Sequence, residues 1–195
     1  MSAVRKLLVK LGGTLLDEES SRTRLARELA ALAARSDVRL VVVHGGGKQM
    51  TRFLSERGIE SRFIGGLRVT TPEVIDAVLK VFAGSVNHQL VASLVAAGAG
   101  AVGLTGIDAC LTEAEHWNEE LGAVGRPVRA NGALLDLLTG SGYLPVVACV
   151  AGDRQGNIYN VNADQMAAAL KTPTAVKPVE ADGAARAARM IADLI

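Results

Sequence analysis

Aromatic residues are nearly missing from this sequence: one Trp, two Tyr and three Phe make up 3% of its 195 residues. Platforms that stack nucleic-acid bases need several rings, so that class of partner is disfavoured. A surplus of one charge is missing too. Lys and Arg number 21 against 20 Asp and Glu, a formal net charge of +1. No broad field draws the chain to nucleic acid or an anionic membrane, and any anion must be held locally. Cysteine is scarce. Cys110 and Cys149 stand alone, with no metal-ligand spacing around them, and read as two small thiols in a reducing compartment. The apolar run Leu7-Leu8-Val9 ends at Lys10, too short for a secretory leader or a membrane span. These absences lead us to expect a soluble cytoplasmic protein that binds no nucleic acid, membrane or resident metal.

What is present is alanine, valine, leucine and 21 glycines, a mix common where strands turn tightly into helices. The length suits one domain, or a large domain with a small appendage. Leu7-Leu8-Val9 reads as a buried strand closed by Gly12-Gly13, and Leu40 to Val43 as a second strand ending at His44 and three glycines. Helical spacing puts Leu25, Leu29 and Leu32 on one face before it, and a helix through Met50, Phe53 and Leu54 follows it, stopped at Gly58. Ile59 to Thr70 reads as extended, with Gly65-Gly66 as a turn. Thr71-Pro72-Glu73 is helix-start chemistry, and the helical pattern runs on to Ala97 with a break expected near Gly84. Ala101 to Leu104 reads as a third core strand, Asn131 as the cap of a helix ended by Gly140 or Gly142, and Leu144 to Val150 as a fourth strand. This order predicts an α/β fold, a three-layer αβα sandwich around a mainly parallel central sheet.

In such a sheet the first two strands deliver their glycines to one carboxyl edge, where ligands bind in open α/β folds. Gly12, Gly13, Gly45, Gly46 and Gly47 let backbone approach a phosphate and aim N–H groups at it, with a helix start behind. Lys10 would add a point charge beside oxygens that gain charge during transfer. Each loop alone also fits a plain turn, and Lys10 alone fits a solvated strand end. Two common nucleotide motifs are excluded. Lys48 is followed by Gln49 rather than Ser or Thr, without the spacing of a P-loop, and Met50 and Thr51 occupy the place of the last glycine in Gly-x-Gly-x-x-Gly.

Arg68, between apolar residues in Gly66-Leu67-Arg68-Val69-Thr70, could clamp a carboxylate through two parallel hydrogen bonds, or could be a surface arginine. Asn160-Val161-Asn162-Ala163-Asp164 starts a helix with polar side chains able to cap it and face a cleft. Together with Lys10-Leu11-Gly12-Gly13 and His44-Gly45-Gly46-Gly47, these four ordered motifs closely resemble the amino acid kinase family, over roughly Val4 to Leu170. Within it they are similar to the branch that acts on N-acetyl-L-glutamate.

The resemblance implies that Lys10 contacts the transferring phosphoryl group and that the glycines offer N–H groups to it and to the acceptor carboxylate. It implies that Arg68 binds the α-carboxylate, that Asn160 hydrogen-bonds the acetylated amino acid, and that Asp164 holds the catalytic lysines in place. ATP, with its Mg2+, would be the donor, N-acetylglutamyl phosphate the product, and arginine biosynthesis the setting. A carboxylate acceptor is ionised at neutral pH and needs no general base, so His44 is expected to fix its loop by hydrogen bonding. Relatives commonly form homodimers, and those inhibited by arginine carry an extra amino-terminal helix. Only Met1 to Arg5 precede the first strand, so an arginine-insensitive homodimer is expected. Residues 1–170 are expected to be the acetylglutamate-binding and phosphoryl-transfer lobe. Residues 171–195 would be a short remnant of the ATP-binding lobe, with a helix from Gly183 to Leu194 and Lys177 standing where a second lysine is sought. Two alternatives stay open: the same reaction on N-acetyl-α-aminoadipate, or a catalytically silent acetylamino-acid-binding regulatory protein.

Overall fold

Alternating apolar side chains set the frame. A computed structural model describes residues 4–171, in which Arg5–Leu11 forms strand β1 and Val38–His44 strand β2. They pair in parallel, Val9 opposite Val42 and Leu11 opposite His44. Helices α1 (Gly13–Asp17) and α2 (Glu19–Ala33) connect them, and α3 (Gly47–Ser55) follows β2. A short hairpin, β3 (Phe63–Ile64) and β4 (Leu67–Arg68), turns through Gly65 and Gly66, both at positive φ. Helix α4 (Pro72–Val78) begins where the cap chemistry predicts, with Thr71 Oγ1 accepting from the Val74 N–H at 3.4 Å.

The helix does not break at Gly84. It widens into a π-helix over Leu79–Val86 and continues as α5 (Asn87–Ala96). Its 25 residues are long and apolar enough to cross a membrane by length and composition. Here Val78, Val81, Phe82, Leu90 and Leu94 are buried in the core with Leu25 and Leu29 of α2. Each such side chain contributes about 1.5–3 kcal/mol relative to exposure.

Strand β5 (Ala101–Thr105) is followed by a hairpin that the sequence did not announce, β6 (Thr112–His116) and β7 (Gly125–Ala130). Then come α6 (Gly132–Gly140), β8 (Leu144–Ala148), β9 (Val150–Gly152), β10 (Ile158–Asn160) and α7 (Ala163–Ala169). The central sheet is wholly parallel in the order β1-β2-β8-β5, and a mostly antiparallel sheet runs β10-β9-β6-β7 beside it. Two expectations are corrected by this topology. The segment expected as a third core strand lies at the sheet edge, half-buried. The single strand expected over Leu144 to Val150 divides at Cys149, its last part joining the second sheet.

The period-2 alternation places Val9, Leu40, Val42 and Val146 on one face under α2, α3 and the long helix. Leu8, Val41, Val43 and Val147 lie on the other face, under α6 and α7. That is the expected αβα sandwich. Lys177, the helix expected over 183–194, and all but the first residue of the 171–195 segment lie outside the described residues.

Candidate active site

Because β1, β2 and β8 run parallel, their carboxyl ends meet at one edge. Lys10, one residue before the end of β1, reaches across to α7, where its Nζ lies 2.9 Å from Asp164 Oδ1. Lys10 is one-third exposed and Asp164 mostly exposed, so the pair is open to solvent and to a ligand. Its worth to stability is small, as for surface ion pairs generally. Its consequence is geometric: it fixes the direction of a long, flexible cation.

The glycine loops adjoin. Gln49 Nε2 donates to the Gly13 carbonyl at 3.0 Å, tying the start of α1 to the start of α3. Gly12 and Gly46 stand at the N-cap positions of α1 and α3, and neither helix has a side-chain cap. The Gly46 and Gly47 N–H groups have no hydrogen-bond partner among the described residues. A helix start of this kind presents unsatisfied donors and the positive end of the helix dipole. Gly46 is required sterically, since a Cβ there would come within 2.9 Å of the Phe82 ring. Gly45 packs its Cα side towards Ala163 of α7.

Arg68 is the most informative side chain. It is 8% exposed, with no carboxylate partner among the described residues. One terminal nitrogen donates to Ser61 Oγ; the other donates to Thr51 Oγ1 at 2.9 Å and to the Gly47 carbonyl at 3.3 Å. The guanidinium carbon also sits 4.6 Å from the centre of the Phe63 ring. Burial pushes the Arg68 pKa down, yet guanidinium stays charged in proteins. A buried cation facing only neutral acceptors is a standing demand for an anion.

Asn160 closes the other side. Thr70 is fully buried and its hydroxyl donates to the Arg68 carbonyl at 2.8 Å, so Thr70 Oγ1 must accept from Asn160 Nδ2, 3.1 Å away. That fixes the amide orientation and leaves Asn160 Oδ1 as an acceptor without a partner among the described residues. The cleft of about 180 Å³ between these groups is lined by Gly45–Gly47, Gly66, Leu67, Arg68, Asn160 and Ala163.

His44 is wholly buried beneath this edge. Desolvation pushes its pKa down to about 4, only partly opposed by the bond to the Gly45 carbonyl. It is neutral and engaged, which agrees with a loop-fixing part and not with proton transfer. Cys149 also lies under the cleft, and burial pushes its thiol pKa up, so it is no nucleophile.

The four sequence motifs thus meet in one connected set: Lys10 with Asp164, Gly13 with Gln49, Gly47 with Arg68, and Arg68 through Thr70 with Asn160. The helix cap is Asn162, whose Oδ1 accepts from the Asp164 and Gln165 N–H groups at 2.9 and 3.3 Å; Asn160 ends β10. Thr51 and Ser61, which orient Arg68, carried no signal as single polar residues in the sequence, and Thr70 stood out only as the last residue of the Gly66 to Thr70 motif.

An αβα core that gathers a lysine, glycine-led helix starts and a buried arginine with no carboxylate partner among the described residues defines a site suited to small anions. The chain belongs to the amino acid kinase family, whose model matches residues 5–170. It is 70% identical over 164 residues to the acetylglutamate kinase of Solibacter usitatus, covering 84% of this chain and 63% of that one. It is 43% identical over 171 residues to the acetylglutamate kinase of Frankia alni, covering 84% and 50%. The chain therefore spans between half and two thirds of the length of the curated relatives it matches. Among solved structures, the smu.665 protein of Streptococcus mutans aligns with a TM-score of 0.74 at 23% identity, covering 85% of this chain and 66% of that one. The N-acetylglutamate synthase of Neisseria gonorrhoeae aligns at 0.73 with 22% identity, covering 84% and 38%. Both likenesses concern the fold.

Proposed function

We propose that this chain binds N-acetyl-L-glutamate and carries the acceptor half of its phosphorylation by MgATP, giving N-acetylglutamyl phosphate. The observation that carries the reading is Arg68, a buried cation without a carboxylate partner among the described residues, set beside an uncapped helix start. The 70% identity to an acetylglutamate kinase supports the choice of acid. In this reading Arg68 takes the α-carboxylate bidentately, and Asn160 Oδ1 accepts the acetamido N–H. The side-chain carboxylate then lies against the Gly12-Gly13 and Gly45–Gly47 loops.

One carboxylate oxygen attacks the γ-phosphorus, the bond to the β-bridging oxygen breaks, and ADP leaves with that electron pair. No proton moves, so no base is needed, in keeping with a buried neutral His44. Lys10, aimed by Asp164, and the loop N–H groups stabilise charge spread over the transferring oxygens. Mg2+ comes with the nucleotide, and the residues that hold ATP are not assigned among residues 4–171. A cytoplasmic homodimer in arginine biosynthesis completes the proposal.

Hydroxylamine trapping of the acyl phosphate tests it, using the purified chain, MgATP and each candidate acid. Hydroxamate should form with N-acetyl-L-glutamate and fall by about 100- to 1,000-fold in Lys10→Ala. Hydroxamate with N-acetyl-α-aminoadipate alone would move the acceptor to the longer acid. Tight acid binding without turnover would make the chain a silent binder, and no binding of either acid would end the proposal.

A further inference from the structure

The glycine loop is held from below by a network whose every proton is determined. Asn87 Nδ2 lies 3.0 Å from the Val146 carbonyl and 2.9 Å from His44 Nε2. A carbonyl only accepts, so this atom is the amide nitrogen, and it donates to Nε2 as well. Nε2 is therefore unprotonated, and the proton of the neutral ring sits on Nδ1, 2.8 Å from the Gly45 carbonyl. In a trans peptide the C=O and the following N–H point opposite ways. Pulling the Gly45 oxygen down onto His44 turns the Gly46 N–H away from the core, towards the cleft that Gly45 and Gly46 line.

Two features of the fold exist around this strut. Asn87 follows the π-helix, and its own N–H bonds to the Phe82 carbonyl five residues back. An α-helix turns about 500° in five residues and would leave Asn87 about 140° from Phe82. The π register stacks them instead, so Phe82 lies under Gly46 and Asn87 under His44. Gly103 of β5 completes the seat, because a Cβ there would overlap Asn87 Oδ1.

We propose that Asn87 is a positioning residue that, by holding His44 in the Nδ1–H form, aims the Gly46 N–H at the phosphoryl group or acceptor carboxylate. The inference deepens the kinase reading, and only its rate prediction rests on it. The experiment uses the full chain labelled with 15N in histidine and backbone, as wild type, Asn87→Leu and Asn87→Asp. In the wild type the His44 resonances should show a protonated Nδ1 and a bare Nε2, and the Gly46 amide should move on titration with inorganic phosphate. In Asn87→Asp, whose carboxylate calls for a proton on Nε2, that pattern and the Gly46 response should both be lost. The kcat for hydroxamate formation should fall on the order of tenfold to a hundredfold in both variants, with KM for the acid within about threefold. Wild type with a protonated Nε2, or a Gly46 amide indifferent to phosphate, overturns the inference without any variant having to fold. Full kcat in a variant with the altered ring overturns it too. A wild type that makes no hydroxamate sinks the kinase reading and leaves the ring and amide tests standing.

Discussion

Helix starts at the cleft edge differ from the capped starts elsewhere in this fold, and α2, which begins on Glu18 without a side-chain cap, stands outside both groups. Helices α4, α6 and α7 start on Thr71, Asn131 and Asn162, whose side chains accept from N–H groups of their own first turns. Helices α1 and α3 start on Gly12 and Gly46 with no side-chain cap. A cap is worth about 1 kcal/mol, so leaving α1 and α3 without one forgoes stability. The glycine-led starts both follow a parallel strand into the cleft edge, and the buried Arg68 guanidinium touches the carbonyl of Gly47 in the first turn of α3. Capped starts spend their donors on the fold; glycine-led starts leave theirs open, as the proposed anion site requires.

Substitutions can break this division. The largest effect expected at the site of an open start is from Arg68→Lys, which keeps the charge but loses the fork. Calorimetry should show N-acetyl-L-glutamate bound about tenfold to a hundredfold more weakly, from the loss of charge-assisted hydrogen bonds. Acid should loosen the same edge from inside. His44 has an ordinary value of 6.5 and is pushed down to about 4 by burial, so the unfolded chain takes up the proton first as pH falls. Its contribution is intact above pH 6.5 and is lost on the way through pH 4, on the order of 3 kcal/mol by linkage. Urea titrations at several pH values should show that slope in wild type and lose most of it in His44→Gln.

A capped start should respond in stability alone. Asn131→Ala should cost about 1 kcal/mol in urea denaturation and leave acid affinity unchanged. The smallest effect belongs to a turn outside the comparison, where Ala109 stands at φ 47° after Asp108. Ala109→Gly should stabilise the chain by about 0.5–1 kcal/mol, since glycine adopts that conformation without strain. A destabilised Ala109→Gly would contradict it.

Lys10, the glycine loops and Arg68 were legible because each signal is local: a cation, glycines or an arginine beside a strand end. The four parallel strands were legible from their apolar runs, although the edge position of β5 depends on pairing with β8 and cannot be read from Ala101 to Leu104. The β6–β7 hairpin was not legible, since Thr-Glu-Ala-Glu-His and Gly-Arg-Pro-Val-Arg-Ala carry charges and a proline where a buried run would be sought. Asn162 rather than Asn160 caps α7 because β10 runs through Asn160, a pairing with β9 that no local pattern announces. The part played by Asn87 was the least visible. It rests on a partner 43 residues away, on a helix that widens instead of breaking at Gly84, and on the space left by Gly103.

The most direct test of the division between open and capped starts is an amide shift map recorded while N-acetyl-L-glutamate is added. The Gly46 and Gly47 amides and the Arg68 side chain should move together along one saturation curve, while Leu134, already bonded to the Asn131 cap, stays in place. Movement confined to the starts of α4, α6 or α7, with Gly46 and Gly47 unchanged at saturating acid, would contradict the account.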